Sequence, residues 1–271
     1  MLRRLQNIRW KRIFLITTWL VCLSGLVVLM SFISVKSNDF ACTDLRVIIP
    51  GEQSFIARDD VDRLLDQKHG KMVGRTLSTL PIHAIEQDLQ AIPFVEKAMV
   101  SMDMNGILTI RLKQREAVIR IINAVGEDFY IDKHAVKMPL SSHYAPKVLV
   151  ANGDIRELYG SDLDSIQSPK VHELYKTAKF IQSDSLWRDQ IEQLYVNREQ
   201  EIEMVPLVGD QQIILGNADS LQLKFSKLMW FYKHIIPTVG WDAYRAVNLS
   251  FANQLVCIKN DDYKENSLNQ Q

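Results

Sequence analysis

The side chains that could carry out catalysis lie far apart in this sequence. None of the six histidines has the His-Glu-x-x-His or His-x-x-Glu-His spacing that places two metal ligands on one helix face. The Gly-x-Ser-x-Gly, Ser-x-x-Lys and glycine-rich phosphate-binding patterns do not occur either. The sequence therefore predicts structural or solvated histidines, no metal or cofactor, and no small-molecule substrate. The histidines are His69, His83, His134, His143, His172 and His234.

Three pairs of neighbouring carboxylates could in principle supply an acid and a base. They are Asp59-Asp60, Glu127-Asp128 and Asp261-Asp262. The pattern places them at a helix start, a turn and a polar tail, where acidic side chains are usually solvated. We therefore expect a protein that is not an enzyme, although missing motifs leave room for an active site of a new kind.

The charge balance and the three cysteines limit the possible partners. Residues 1–12 carry five basic residues, so subtracting five from 32 leaves 27 Lys and Arg against 32 Asp and Glu in the rest of the chain. This acidic remainder predicts no nucleic-acid partner. Cys42 and Cys257 could form a disulfide in an oxidising compartment, but their wide separation favours free thiols, as for Cys22.

One apolar stretch organises the chain. Ile13 to Val35 is a run of 23 residues without Asp, Glu, Lys, Arg or His. As a helix it would be about 34 Å long, enough to cross the hydrocarbon core of a lipid bilayer. The run is too long for the apolar part of a signal peptide, and Ser31 to Val35 is a poor cleavage site. The sequence predicts a retained membrane anchor.

The charges on either side of this stretch predict its orientation. Five basic residues and no acidic residue precede it, whereas Lys36, Asp39 and Asp44 follow it. By the positive-inside rule, residues 1–12 form a cytoplasmic tail and the chain from Lys36 onward is exported.

Residues 36–115 show the pattern of a small α+β domain. A strand at Leu45–Ile49 precedes two helical patterns, and strands with period-two alternation follow at Val95–Met102 and Ile107–Gln114. Asn105-Gly106 between the last two predicts a type I′ hairpin. The predicted order is β-α-α-β-β.

Residues 116–260 form a second region in which short, mostly antiparallel strands dominate. Two helices are expected within it, one starting at Ser168-Pro169 and one with the apolar stripe Leu221 to Tyr232. The last two predicted strands are Ala246–Phe251 and Leu255–Ile258, and residues 261–271 form a polar tail that we expect to be disordered.

Several segments together resemble the FtsQ/DivIB family of bitopic cell-division proteins. That family has a short cytoplasmic tail, one transmembrane helix, a β-α-α-β-β POTRA domain and a larger β domain. Phe94 stands where the family usually has Trp, and Gln114 and Ala117 replace its usual Glu and Pro. The matching segments are Leu45–Gly51, Ala91–Val100, Leu112–Val118, Tyr130–Val136, Ile214–Gly216 and Val247–Phe251.

The resemblance implies a non-enzymatic assembly protein of the division septum in the inner membrane, with most of its chain in the periplasm. It implies that the protein links early and late divisome proteins and regulates septal peptidoglycan synthesis. It also implies that the POTRA domain serves recruitment and that the last strands and the preceding helix bind an FtsB/FtsL-like pair. For Phe251 and Val256, an alternative of equal weight is that their side chains complete the hydrophobic core instead of contacting a partner. The implied partner-binding residues are Tyr244, Arg245, Phe251, Asn253, Gln254 and Val256.

Two other functions stay open at this point. A POTRA-bearing component of a secretion or outer-membrane assembly machine would need repeated POTRA domains or a following barrel, and the sequence shows neither. A membrane-anchored cell-wall enzyme would be recognised by activity of the exported part on peptidoglycan.

Overall fold

The computed structural model describes residues 10–37, 41–51, 53–160 and 165–260. The expected disordered tail, 261–271, lies outside the described residues, and the expected cytoplasmic tail is described only from Trp10 onward. The chain divides into two compact units. The first holds Met1–Pro50, Ala57–Ile92 and Glu96–Lys113, and the second holds Gly51–Ile56, Pro93–Val95 and Gln114–Gln271.

The apolar stretch is a single long helix, α1, at Trp10–Ser37. Its segment Phe14–Ser31 has a mean hydropathy of 2.2 and is long and apolar enough to cross a membrane. Two of its hydroxyl groups do not need outside partners, because Thr18 and Ser24 donate to carbonyl oxygens of the preceding turn at 2.8 and 2.9 Å. Such internal bonds suit a helix in hydrocarbon, where water cannot satisfy polar groups.

The first unit contains the predicted β-α-α-β-β order, which is therefore confirmed. Its three-stranded sheet has the order β1-β3-β2, and β1 runs parallel to β3. In β3 the alternate residues Leu108, Ile110 and Leu112 are fully buried. Each of the two helices buries one face as well, the first at Val61 and Leu65 and the second at Ile85 and Leu89. The elements are β1 Asp44–Ile48, α2 Arg58–His69, α3 Ile82–Gln90, β2 Val95–Met102 and β3 Ile107–Gln114.

The turn between β2 and β3 differs from the predicted type I′ geometry. Gly106 has a φ of +80°, but Asn105 is not among the residues with positive φ. The Asp103 carboxylate instead accepts hydrogen bonds from the backbone N–H groups of Asn105 and Ile107, both at 2.9 Å. The loop therefore has four residues, and loops of this length usually contain a type I turn, which needs no positive φ at its central positions.

The second unit is built on a nine-stranded sheet. Its strand order is β12-β11-β10-β9-β8-β7-β4-β5-β6. In the described chain the pairs β4–β7, β7–β8 and β10–β11 are parallel, and the remaining pairs are antiparallel. The strands are β4 Ala117–Ile121, β5 Phe129–Asp132, β6 Lys137–Pro139, β7 Leu149–Gly153, β8 Ile191–Val196, β9 Ile202–Pro206, β10 Gln212–Gly216, β11 Tyr244–Asn248 and β12 Val256–Lys259.

Helices pack on one face of this sheet. The two expected helices are present as α4 Pro169–Gln182 and α6 Leu221–Trp230. Sequence reasoning missed a six-residue helix, α5, at Ser185–Gln190, whose N-cap Asp184 accepts a hydrogen bond from the backbone N–H of Leu186. This helix is too short to show a periodic apolar stripe.

Helix α6 continues without a loop into further helical turns. A π-helical segment, Phe231–Ile235, follows it, and α7 at Ile236–Val239 ends at Gly240. Aromatic side chains join these turns to the rest of the unit: the ring of Tyr232 lies 6.3 Å from that of Trp187 on α5, and the ring of Phe231 lies 5.9 Å from that of Tyr244 on β11. The π-helical segment is thereby packed against both α5 and β11.

Candidate partner-binding edge

Strand β12 forms one end of the nine-stranded sheet. On one side it pairs with β11, with Cys257 opposite Val247 and Val256 opposite Asn248. In the described chain no strand pairs with its other side. An edge of this kind presents unpaired N–H and C=O groups and can accept a strand from another chain.

The two faces of β12 have different surroundings. Cys257 lies on the helix-covered face, opposite the fully buried Val247, and packs against the core. Because side chains alternate along a strand, Val256 and Ile258 point to the opposite face, where they are 36% and 41% exposed. Val256 therefore does not complete the core.

Phe251 lies in the loop that joins β11 to β12, not in a strand. The predicted strand Ala246–Phe251 is wrong in its bounds, because β11 runs from Tyr244 to Asn248. The Asn248 side chain ends the strand by accepting hydrogen bonds from the Ser250 N–H at 2.8 Å and the Ser250 hydroxyl at 2.6 Å. The Phe251 side chain is 45% exposed, so it does not complete the core either.

A lysine of α6 holds this loop in place. The Nζ atom of Lys227 donates hydrogen bonds to the backbone carbonyl oxygens of Leu249, Phe251 and Gln254, at 3.0, 2.5 and 3.4 Å. An ammonium group has three donors, so these contacts use its full capacity. Burial lowers the pKa of Lys227 from its ordinary value.

A second lysine of the same helix holds the preceding loop in the same way. Lys224, three residues earlier, is buried and donates to the carbonyl oxygens of Leu215 and Asn217, each at 2.9 Å, and to Oδ1 of Asn217 at 2.8 Å. Burial also lowers the pKa of Lys224. Sequence reasoning missed both lysines, because their carbonyl partners are recognisable only once β10 and β11 are placed beside α6.

The six residues proposed from the resemblance lie on one hairpin but at its two ends. Tyr244 and Arg245 begin β11, and Tyr244 is opposite Lys259 at the end of β12. The Tyr244 ring is half-buried and lies 5.9 Å from that of Phe231, whereas Arg245 is exposed. The loop end of the hairpin brings together the other four residues, Phe251, Asn253, Gln254 and Val256.

The groups first considered for catalysis are the histidines and the paired carboxylates, of which Asp261-Asp262 lies outside the described residues. In the part of the chain that the structure describes, no cluster of three His, Cys, Asp or Glu side chains could hold a metal ion. Asp60 pairs with Arg63, and Asp128 pairs with Arg120 at 2.9 Å. Cys22, Cys42 and Cys257 are free thiols, as the sequence favoured.

Comparison with known families agrees with this architecture. Residues 40–113 match the family model of the POTRA-like domain, and residues 116–258 match the model described as FtsQ/DivIB, C-terminal related. A comparison with the curated proteins found no match.

These matches and the fold define the class: a protein with one apolar N-terminal helix, a POTRA-like region and a large antiparallel-rich sheet. The second match covers more than half of the chain, and the chain belongs to the FtsQ/DivIB family, whose domains indicate a role in cell division. Membership and the helix α1 are consistent with a single-pass membrane protein of the division site.

Proposed function

We propose that this protein is a non-enzymatic assembly protein of the divisome that binds an FtsB/FtsL-like pair in the periplasm. Residues 1–12 form its cytoplasmic tail, 13–35 its membrane span, 36–115 its POTRA domain and 116–260 its β domain. By binding this pair it links early and late cell-division proteins at the septum and regulates septal peptidoglycan synthesis.

The unpaired outer edge of β12 is the observation that carries the proposal. A strand of the partner adds to this edge, and main-chain hydrogen bonds supply affinity. The exposed side chains of Val256 and Ile258 supply apolar contact on the face that the helices leave uncovered. Contacts with these two side chains thereby determine which partner sequence can bind as the added strand.

The loop 249–255 supplies the second part of the interface. The side chain of Phe251 is exposed while its carbonyl oxygen is held by Lys227, so an aromatic anchor is presented on a fixed backbone. A pre-ordered loop loses less conformational entropy on binding than a mobile one. The exposed Asn253 and Gln254 offer amide groups for hydrogen bonds at the rim.

Tyr244 and Arg245 contribute at the other end of the hairpin. Tyr244 packs against Phe231 and so connects β11 to the helical segment, and the exposed Arg245 follows it on β11 at the same end of the hairpin. The two ends of the four-residue strand β12 are about 10 Å apart, a length that a partner strand of four residues matches.

The test is binding of the full-length chain, reconstituted in lipid nanodiscs, to the periplasmic parts of its own FtsB/FtsL-like proteins. We expect Phe251→Ala to weaken binding by roughly tenfold or more, about 1.4 kcal/mol, because exposed aromatic anchors dominate interface energies. Asn253→Ala should have a smaller effect in the same direction.

The control is Val125→Ala. Val125 is 57% exposed in the loop between β4 and β5, at the opposite end of the nine-stranded sheet from β12, so its truncation should leave binding unchanged. Equal binding by wild type and Phe251→Ala would move the interface elsewhere. No binding by wild type would contradict the proposed function, and hydrolysis of peptidoglycan by the purified chain would replace it with an enzymatic one.

A further inference from the structure

Two exposed apolar side chains of the first unit lie on loops next to the point where the chain leaves α1. Val73 is 55% exposed in the loop between α2 and α3, and Met104 is 86% exposed at the tip of the β2–β3 hairpin. Single exposed apolar side chains are common on protein surfaces, so these two are informative only through the place where their loops are held.

Both loops are bonded to the same short segment, Ala41 to Thr43. On one side, the Cys42 N–H donates to the Arg75 carbonyl and the Gly74 N–H donates to the Cys42 carbonyl, both at 2.7 Å. These bonds fix the loop that carries Val73.

On the other side, the Thr43 N–H donates to the Gly106 carbonyl at 2.8 Å, and the Thr43 hydroxyl donates to the Asn105 carbonyl at 3.0 Å. A Cβ atom on Gly106 would lie 2.3 Å from the Ala41 carbonyl oxygen, so only glycine allows this approach. The hairpin tip is therefore held against the same segment.

The covalent chain keeps this segment close to a membrane. Helix α1 ends at Ser37, and four residues lead from there to Ala41, which is at most about 14 Å of extended chain. Because Val73 and Met104 are each within two residues of a backbone group bonded to the segment, neither can lie more than about 30 Å from the end of α1. No other part of the described chain is bound so directly to the residues after α1.

The polar groups of the two loops suit the same partner. Lys71 is exposed two residues before Val73, and its positive charge can meet lipid phosphates. The acidic side chain of the hairpin tip, Asp103, stays charged, but one of its oxygens accepts the N–H groups of Asn105 and Ile107 and is thereby directed back into the turn.

We propose that Val73 and Met104 rest in the interfacial layer of the bilayer, with Lys71 among the headgroups of anionic phospholipids. The partner is the lipid surface itself. The span makes this contact intramolecular, so two apolar side chains suffice for a contact that would be weak for a free domain. The contact sets the angle at which the first unit stands on the membrane. This inference rests on α1 crossing the bilayer and not on any protein partner.

The test uses the full-length chain in nanodiscs of phosphatidylcholine and phosphatidylglycerol that contain a lipid with a nitroxide on its headgroup. The methionine methyl groups are labelled with carbon-13, and their signals are assigned with Met104→Leu and Met99→Leu. Met99 is the matched control, because it is 41% exposed in the same unit and lies on β2 four residues before the loop.

We expect the nitroxide to broaden the Met104 methyl signal several-fold more than the Met99 signal. The double variant Val73→Asp, Lys71→Asp should reduce this difference, because it replaces an apolar and a basic contact with charges that anionic lipids repel. Thermal unfolding of the variant is compared with that of wild type to confirm that the unit remains folded.

Equal broadening of the two methyl signals in chains that stay in the nanodisc would overturn the inference. Loss of the chain from the nanodiscs on size exclusion would overturn it in a different way, by showing that α1 does not anchor the protein. Neither result depends on binding of FtsB/FtsL-like proteins, so failure of the proposed function is detected separately.

Discussion

The Nζ atom of Lys227 lies 2.5 Å from the backbone carbonyl oxygen of Phe251, so a side chain on α6 fixes the backbone of an exposed aromatic residue 24 positions later. The same ammonium group also holds the carbonyl oxygens of Leu249 and Gln254. The arrangement separates two roles: Lys227 determines where the loop lies, and the Phe251 side chain stays available for contact.

Replacing Lys227 with methionine keeps the aliphatic stem and removes the three donors. We expect the amides of residues 250–254 to exchange hydrogen faster, and the free energy of unfolding to fall by about 1 kcal/mol. Hydrogen exchange followed by mass spectrometry measures both the site and the size of the effect. Binding of the FtsB/FtsL-like pair should weaken as well, because the loop must then be ordered during binding.

The control for this experiment is Lys233→Met, which removes an exposed lysine from the adjoining π-helical segment. It should leave exchange in residues 250–254 at the wild-type rate. Unchanged exchange in Lys227→Met would show that the three hydrogen bonds do not order the loop.

The buried ion pair of Lys137 and Glu157 is expected to be strongly coupled. The two side chains are 1% and 3% exposed, their charged atoms are 3.0 Å apart, and Glu157 also accepts the backbone N–H groups of Gln167 and Ser168. Lys137→Met alone leaves a buried carboxylate without its cation and should cost about 3–5 kcal/mol.

The double variant Lys137→Met, Glu157→Gln tests this coupling. The glutamine oxygen can still accept a backbone N–H group, and no buried charge remains, so the double variant should be more stable than Lys137→Met. Urea denaturation followed by circular dichroism measures the free energies. Additive losses from the two single changes would contradict the coupling.

Asp88 is expected to make the first unit less stable in acid. Its carboxylate accepts from Lys68 at 2.6 Å and is 2.8 Å from His69, and the hydrogen bond from Lys68, followed by that of His69, lowers the pKa of Asp88 below its ordinary value of 3.8. The folded state therefore binds this proton less readily than the unfolded state. The stabilisation is fully present when the pH is above the ordinary pKa of the carboxylate, and it is lost as the pH falls through the lowered pKa of the folded state.

Asp88→Asn should remove this part of the pH dependence and lower stability at neutral pH. Asp66→Asn is the control, because Asp66 is an exposed carboxylate of α2. Urea midpoints measured from about pH 6 down to about pH 2 separate the two variants. Parallel curves for wild type and Asp88→Asn would refute the assignment.

Cys257 is expected to react slowly although it lies on an edge strand. Burial raises the pKa of its thiol, and the thiolate is the reactive form. Alkylation by iodoacetamide at neutral pH, quantified on the peptide by mass spectrometry, should be several-fold slower in the native chain than in urea. In urea without reductant, all three cysteines should react, because all three are free thiols. Equal alkylation rates of Cys257 in the native and the unfolded chain would show that its thiol is exposed to solvent.

Much of the local structure of this protein could be predicted from short-range pattern. The strands Val95–Met102 and Ile107–Gln114 were predicted with the bounds that the structure shows, because strict alternation is written in consecutive residues. The uninterrupted apolar run likewise predicted α1, because a helix of that composition needs no tertiary partner to be recognised. Asn105-Gly106 predicted a hairpin correctly and its turn type wrongly, since the Asp103 side chain stabilises a different loop.

The sequence by itself determined the family, the order of elements in the first unit and the residues that the resemblance places near the C-terminus. Only the tertiary structure decided that β12 is the edge strand, that Val256 and Cys257 point to opposite faces, and that Lys227 holds the loop of Phe251. The physical reason is range. Periodicity and turn residues act over a few positions, whereas strand order and a lysine bonded to carbonyl groups 22 to 27 residues away depend on the packing of the whole unit.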